Sequence, residues 1–136
     1  MSATLPRMAT WDDVRRLALA LPQTSERTSW ETAAWTVKDK GFVWERPLRK
    51  SDLAALGPAA PDGPILAAHV PDEGVKFALI ADDPAVYFTT PHFNGYPAIL
   101  VRLEEIPVPE LDELITEAWL CRAPKRLAKE YLGEAL

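Results

Sequence analysis

The sequence predicts an α+β domain, a two-layer sandwich of a mainly antiparallel sheet with helices on one face. Its 136 residues match the length of one domain, so residues 1–136 are expected to fold as a single unit. Two pairs of short β-prone runs, each pair joined by turn residues, predict two β-hairpins. Runs with apolar residues at helical spacing stand before, between and after these hairpins. Hairpins make antiparallel pairs, and the helices outside them form the second layer.

The first elements are a helix and a hairpin. Thr10 and Asp13 make a capping-box pattern that starts an amphipathic helix, which is expected to end before Pro22. The polar string PQTSERTS that follows is predicted to be a loop. The β-prone runs at residues 33–37 and 42–45 come next and predict a hairpin with a short basic tip.

The middle of the chain alternates helix and strand. SDLAALG carries an N-cap serine, helix formers and a terminal glycine, which predicts a short helix from Ser51. Residues 65–70 are largely apolar and predict a strand. The string PDEGVKFALIADDP then predicts a helix whose apolar residues Val75, Leu79 and Ile80 face inward.

The last elements are a second hairpin and two helices. Residues 86–89 and 98–103 are predicted strands, joined by the string TTPHFNGYPA. PVPELDELITEAWLCRA has its apolar residues on one face of a helix, and PKRLAKEYL restarts a helix at Pro124. The predicted order is therefore helix, hairpin, short helix, strand, helix, hairpin and two helices.

The charge of the chain limits its possible partners. A net charge of −5 and a pI near 5.0 argue against a protein that coats nucleic acid by its overall charge. Residues 71–117 hold ten acids and two bases, whereas residues 31–50 and the part after residue 117 are mildly basic. Two short basic segments therefore flank an acidic middle, and such segments are most often solvated surfaces.

The sequence carries no signature of catalysis, export or membrane insertion. A Gly-rich phosphate loop, a nucleophile elbow and an HExxH string are all absent from it, so the chain is expected not to be an enzyme. Cys121 is the only cysteine, which excludes an internal disulfide and a multi-cysteine zinc site. The first residues lack the apolar segment of a secretory signal, and no apolar run reaches the about 20 residues that span a membrane. A cytoplasmic protein without a membrane partner is expected.

Four of the five tryptophans are expected in the core. Trp11 and Trp119 lie on apolar helix faces, and Trp35 and Trp44 flank the first hairpin, where a cross-strand aromatic pair is expected. Trp30 stands in a polar loop and is the candidate for an exposed stacking residue.

Several strings along the chain resemble those of a known family. They are LALALP after the first helix, AWTVKDKGFVWE in the hairpin, PHFN before the strand that ends in VRL, and EAWLCRAPKRL near the C-terminus. Their order and spacing, over nearly the whole chain, resemble the MmcQ/YjbR family, which is described as having a double-wing DNA-binding motif. The resemblance implies a secretion-chaperone-like α+β sandwich with antiparallel strands and no cofactor.

The resemblance also implies DNA binding, which is the first functional hypothesis. In this hypothesis the basic hairpin, the segment after it and the C-terminal helix contact phosphates, so binding is weak and sensitive to salt. The cations concerned are Lys38, Lys40, Arg46, Arg49, Lys50, Arg122, Lys125, Arg126 and Lys129.

The second hypothesis is a non-catalytic module that binds a small molecule or a protein through an aromatic loop. Its candidate residues are Trp30, His92, Asn94 and Tyr96. Aromatic rings stack on planar ligands, and histidine donates to phosphate. The sequence leaves the oligomeric state open.

His92 itself has three interpretations. Asn94 and Gly95 readily adopt positive φ, so we predict a turn in which the imidazole hydrogen-bonds across the loop. In this turn Phe93 and Tyr96 pack on the sheet edge. The alternatives are the ligand loop and a metal site, although the other histidine and the cysteine lie in other elements.

Overall fold

The computed structural model describes residues 7–29 and 31–133. Five α-helices lie in these ranges, at Trp11–Leu19 (α1), Lys50–Leu56 (α2), Glu73–Asp82 (α3), Val108–Arg122 (α4) and Lys125–Leu132 (α5). Six β-strands lie at Thr24–Ser29 (β1), Thr32–Val37 (β2), Lys40–Glu45 (β3), Ile65–His69 (β4), Tyr87–Phe88 (β5) and Ala98–Arg102 (β6). None of the helices in this part of the chain combines the length and the apolar character needed to cross a membrane.

The six strands form one sheet in the order β1-β2-β3-β4-β6-β5. Every neighbouring pair is antiparallel, which confirms the predicted α+β class. In the first hairpin Ala34 lies opposite Trp44, and Trp35 lies opposite Val43. Opposite residues share a face of the sheet, so Trp35 and Trp44 lie on different faces and do not form the expected aromatic pair.

The strand β1 corrects the prediction of a loop at PQTSERTS. Its six residues are all polar and mostly exposed, so hydrophobic periodicity could not reveal it. It is an edge strand that pairs with β2 along its whole length. Glu26 adds two anchors, because its carboxylate accepts from Trp35 Nε1 at 2.8 Å and lies 2.6 Å from Nη2 of Arg15.

The strand β4 is buried on both faces and separates two apolar clusters. Leu66 and Ala68 belong to the larger cluster, which α1 and α4 cover. Ile65 and Ala67 belong to a smaller cluster on the other face, which α2 and a 3-10 turn at Pro91–Phe93 cover. The prediction of helices on one face therefore holds for α1 and α4, while the second face has a short helix and a turn.

Helix α3 confirms the predicted inward side at Leu79 and Ile80 but not at Val75. Val75 and Phe77 are 37% and 54% exposed, whereas Leu79 and Ile80 do pack against the larger cluster. The buried residue of this helix is Lys76, at 0% exposure. A charged side chain thus takes the inward position that the apolar pattern assigned to Val75.

Candidate functional site

A groove lies where the end of β3 faces the loop at residues 91–96. It has a volume of about 870 Å³ and lies on the same side as the smaller apolar cluster. Its lining includes Trp44, Arg46 and Arg49 from β3 and the segment after it, and His92 and Tyr96 from the loop. Residues from both sequence-based hypotheses therefore meet here, cations from the first and the aromatic loop from the second.

The loop of the groove is closed by its own backbone. Three of its N–H groups donate to carbonyls three positions earlier, at 2.9 to 3.1 Å. Gly95 has a φ of 79°, which glycine adopts without steric cost. Phe93 is buried in the smaller cluster, and the His92 ring packs edge-on against it with centroids 4.9 Å apart. The hydrogen bonds described for this segment come from other groups, so a turn is present but the His92 imidazole does not close it.

Lys76 fastens this loop to α3. Its Nζ donates to the carbonyls of Phe93 and Tyr96 at 2.6 and 3.1 Å and lies 3.9 Å from Oε2 of Glu73. Burial lowers the pKa of Lys76, and the Glu73 carboxylate partly offsets this effect. Sequence reasoning missed this residue because a lysine in a helix is usually solvent-facing. The available signal was its spacing, since the two inward apolar residues follow it by three and four positions.

Arg46 is buried under the opposite wall of the groove. Its side chain is 7% exposed, and its Nη2 lies 3.0 Å from Oδ2 of Asp52. This is an ion-pair distance, but the angle does not suit a hydrogen bond, and Nη2 has none within the described ranges. Nη1 donates to the Pro47 carbonyl, and the guanidinium lies 5.3 Å from the centroid of the Phe93 ring. The charge of Arg46 is therefore balanced by Asp52, and its side chain braces the loop.

Asp52 also fixes the start of α2. Its Oδ2 accepts from the backbone N–H of Arg49 at 2.8 Å. Burial raises the pKa of Asp52, but the Arg49 N–H and the Arg46 charge outweigh this, and the net pKa lies below its usual value. Asp52 is therefore ionised near neutral pH. The Arg49 side chain is exposed at the rim of the groove and makes no salt bridge among the described residues.

An aromatic cluster forms the other end of the groove. The Tyr96 hydroxyl lies 3.1 Å from His69 Nε2, and the His69 ring also contacts Trp44, with centroids 5.6 Å apart. Burial, together with the positive charge of Arg122, lowers the pKa of His69 to about 4. The imidazole is therefore neutral near pH 7 and can accept from the tyrosine hydroxyl. Sequence reasoning considered His69 only as a metal ligand, although strand alternation puts it on the face of Ile65.

Five of the nine cations of the DNA hypothesis lie at the two ends of β3. Lys38 and Lys40 are exposed at the hairpin tip, where β3 begins, and Arg46, Arg49 and Lys50 follow its end. The strand has six residues, so about 20 Å separates the two groups. The other cations lie at the end of α4 and in α5, and they are Arg122, Lys125, Arg126 and Lys129.

The end of α4 lies at the same end of the sheet as the hairpin tip. Trp119 of α4 donates from Nε1 to the Pro22 carbonyl at 3.1 Å. Pro22 comes just before β1, whose first residue Thr24 is opposite Val37, beside the tip. We call this surface the basic end, defined by the exposed residues Lys38, Lys40, Lys125 and Lys129.

The remaining candidates have simpler positions. Trp30 lies outside the described residues. Asn94 is exposed in the loop and lines the groove. Within residues 7–29 and 31–133, no cluster of three or more His, Cys, Asp or Glu side chains could hold a metal ion.

Proteins of known sequence and structure resemble this chain over most of its length. The uncharacterized proteins Mb2600 of Mycobacterium bovis and Rv2570 of Mycobacterium tuberculosis are each 58% identical to it over 131 residues, which cover 94% of this chain and 99% of each relative. The crystal structure of Deinococcus radiodurans protein DR2400, with the domain DUF419, matches with a TM-score of 0.66 at 21% identity. That match covers 94% of this chain and 91% of DR2400, and it shows the fold alone.

A family model described as YjbR matches residues 19–121. This span runs from the end of α1 almost to the end of α4 and contains all six strands and every residue that lines the groove. The resemblance found in the sequence strings is confirmed, and the chain belongs to the YjbR family.

Proposed function

We propose that this chain is a non-enzymatic binding protein whose ligand, a small anionic molecule, occupies the groove. The observation that carries the proposal is the meeting of the exposed Arg49 with the exposed His92 and Tyr96 in one concave site. The groove volume of about 870 Å³ also lies within the roughly 300–1,000 Å³ of small-molecule sites.

The charges around the groove support an anionic ligand. The buried Arg46 is balanced by Asp52, and the carboxylate of Glu45 accepts from the backbone N–H of Ala33 at 2.9 Å while keeping its negative charge. Arg49 adds an exposed guanidinium that makes no salt bridge with a described carboxylate, at a rim open to solvent. An anion bound there would gain charge-assisted hydrogen bonds, which are stronger than neutral ones.

The groups in the groove suit binding better than catalysis. Positive charge, N–H donors and aromatic surface can hold and orient a ligand, whereas catalysis by a side chain also needs a nucleophile or base held by a second group. In the described groove, Tyr96 with His69 comes nearest to such a pair. The pKa of about 4 makes His69 a weak base at neutral pH.

A titration with inorganic pyrophosphate, followed by amide chemical shifts, tests this site. We expect shifts at Arg49 and in the 91–96 loop. Arg49→Ala should weaken binding about tenfold or more, because a hydrogen bond to a charged group contributes roughly 1.5–3 kcal/mol. Lys50→Ala removes the neighbouring exposed cation, which does not line the groove, and should bind like the parent chain. Equal losses in both variants, or shifts confined to the basic end, would rule out the groove.

Duplex DNA binding through the basic end is a second candidate function. The observation that favours it is the exposure of Lys38, Lys40, Lys125 and Lys129 at one end of the sheet. The double-wing description of the family agrees with it. The net charge of −5 opposes it, so any such binding would be weak and would depend on low salt.

Fluorescence polarisation of a labelled duplex at several salt concentrations tests this second candidate. Each phosphate contact should contribute about −0.9 to the slope of log affinity against log salt. The double variant Lys38→Ala, Lys40→Ala should reduce that slope by about 2, whereas Lys50→Ala, beyond the other end of β3, should leave it unchanged. Absence of binding at low salt would exclude DNA as a partner.

A further inference from the structure

We infer that the groove ligand is a nucleotide, bound with its phosphate at Arg49 and His92 and its base against the ring of Tyr96. This inference rests on the proposed function and specifies the class of ligand. Two parts of the groove carry it, a donor site at the rim and an aromatic platform in the loop.

The donor site has a fixed backbone and open side chains. The main chain of Arg49 is held by Asp52 at 2.8 Å, while its side chain is exposed. His92 stands across the groove on the 3-10 turn, where its ring is braced by Phe93. A guanidinium fork and an imidazole N–H facing one space match the several acceptor oxygens of a phosphate.

The aromatic platform is exposed and yet held in place. Tyr96 is 43% exposed, although its N–H, its carbonyl and its hydroxyl all have partners in the described chain. Lys76 binds the carbonyl at 3.1 Å and His69 meets the hydroxyl at 3.1 Å. A ring that is already ordered loses little conformational entropy when a ligand stacks on it. Stacking of a base on an aromatic side chain is favourable for every base.

The buried Lys76 holds the aromatic platform in place, although burying a charged group costs free energy. This cost is consistent with a functional role for the position of the loop. Burying the ammonium group of Lys76 removes it from water, a loss that its bonds to Phe93 and Tyr96 and the nearby Glu73 offset. The loop already has three backbone hydrogen bonds of its own, so the turn does not need Lys76 to close. The lysine instead ties the loop to α3.

The combination favours a nucleotide over simpler ligands. An inorganic anion would use only Arg49 and His92, and it would fill a small part of about 870 Å³. An aromatic acid would use the ring and the charge but not the amide of Asn94. That side chain lies in the loop between the two sites and offers both a donor and an acceptor, as the edge of a base requires.

Isothermal titration calorimetry of the full chain tests the inference with AMP, adenosine and ribose 5-phosphate. GMP, CMP and UMP are titrated in parallel, each with its own nucleoside, so that a preference for one base does not hide the site. We expect at least one nucleotide to bind about tenfold more tightly than ribose 5-phosphate and than its own nucleoside, since stacking and a charged contact each contribute this much.

Variants assign the two parts separately. Tyr96→Ala should remove the advantage of the nucleotide over ribose 5-phosphate, while Tyr96→Phe, which keeps the ring, should retain it. Arg49→Ala should remove the advantage over the nucleoside, and Lys50→Ala should remove neither. A single-stranded pentanucleotide distinguishes the source of the ligand, because binding more than tenfold tighter than the mononucleotide would identify a strand rather than a free nucleotide.

Two results would overturn the inference, and they differ in what they mean for the proposed function. If ribose 5-phosphate and pyrophosphate bind as tightly as every nucleotide, the groove is an anion site and the nucleotide assignment is wrong. If pyrophosphate, ribose 5-phosphate and all four nucleotides fail to bind, the proposed function is wrong as well.

Discussion

On the face of the sheet covered by α1 and α4, the buried side chains are almost all apolar, whereas the groove side buries charged and polar groups. Five of the seven buried polar or charged residues in the described chain lie beside the groove or its loop, and they are Arg46, Asp52, His69, Lys76 and Thr90. The first face follows the hydrophobic pattern of the sequence, and the second departs from it.

The different composition of the two faces reflects two roles, stabilising the fold and fixing the geometry of the groove. Apolar packing stabilises the fold through the area it removes from water, without selecting a ligand. Buried polar groups cost free energy unless they are hydrogen-bonded or paired, so they persist where they fix a particular geometry. Here Lys76 fixes the loop, His69 fixes Tyr96, and the pair of Arg46 with Asp52 fixes the opposite wall.

Two tryptophans of one hairpin provide the strongest test of this comparison. Trp35 is 2% exposed in the larger cluster, and Trp44 is half-buried beside the groove. We expect Trp35→Ala to lower the free energy of unfolding by roughly 3–5 kcal/mol, because it leaves a cavity in a packed core. Trp44→Ala should cost roughly 1–2 kcal/mol, because less of its ring leaves water and the site is open. Urea denaturation of both variants measures the two values.

Removing the Trp44 side chain should affect ligand binding as well as stability. Its removal should weaken ligand binding in the groove, whereas Trp35→Ala should affect affinity only through stability. Equal losses of unfolding free energy in the two variants would mean that the groove side is packed as tightly as the core, and the comparison would fail.

The buried His69 predicts a particular dependence of stability on pH. Its pKa is about 4 in the folded chain and about 6.5 when unfolded, so the unfolded chain takes up the proton first as the pH falls. Stability is therefore complete above pH 6.5 and declines between pH 6.5 and about 4. The loss amounts to about 3 kcal/mol over this window, with about 2 kcal/mol lost by pH 5.

Denaturant unfolding at several pH values measures this decline, and the other histidine provides the control. His69→Phe should flatten the curve between pH 6.5 and 4.5, whereas His92→Ala should keep the slope of the parent chain because His69 is intact. The carboxylate of Asp13, whose pKa is lowered mainly by its hydrogen bond with Arg7, loses its contribution only at lower pH. A curve for His69→Phe that falls as steeply as that of the parent chain would show that His69 is not the titrating group.

Sequence patterns predicted the elements whose stability comes from one apolar face. Helices α1 and α4 and the strands β2 to β6 all have at least one apolar face, and their hydrophobic pattern locates them. The strand β1 has none, because its pairing with β2 and the contacts of Glu26 hold it. Backbone pairing of this kind has no signature in a single polar string, so β1 was predicted to be a loop.

The sequence identified several residues of the groove but did not predict that they lie together in one site. His92, Asn94, Tyr96 and Arg49 were identified by residue type, yet they were assigned to two different hypotheses. These residues are far apart in the sequence. They come together only because the end of β3 and the 91–96 loop lie over the same face of the sheet. Lys76 could not be predicted as a site residue because its hydrogen-bond partners are backbone carbonyls, which every residue type has.

The smallest expected change in stability comes from His92→Ala. This variant distinguishes a structural role of His92 in the turn from a role in ligand binding. The sequence predicts that the imidazole closes the loop, with a cost on the order of 1 kcal/mol on its removal. In the structure the ring is exposed and three backbone hydrogen bonds close the turn instead, so we expect a change in the free energy of unfolding within about 0.5 kcal/mol.

The affinity of the His92→Ala variant for the preferred nucleotide should nevertheless fall about tenfold, because a donor to the phosphate is lost. A thermal melt and a calorimetric titration of the same variant give both values. A chain that loses 1 kcal/mol or more of stability but binds the nucleotide unchanged would return His92 to the structural role that the sequence assigned to it.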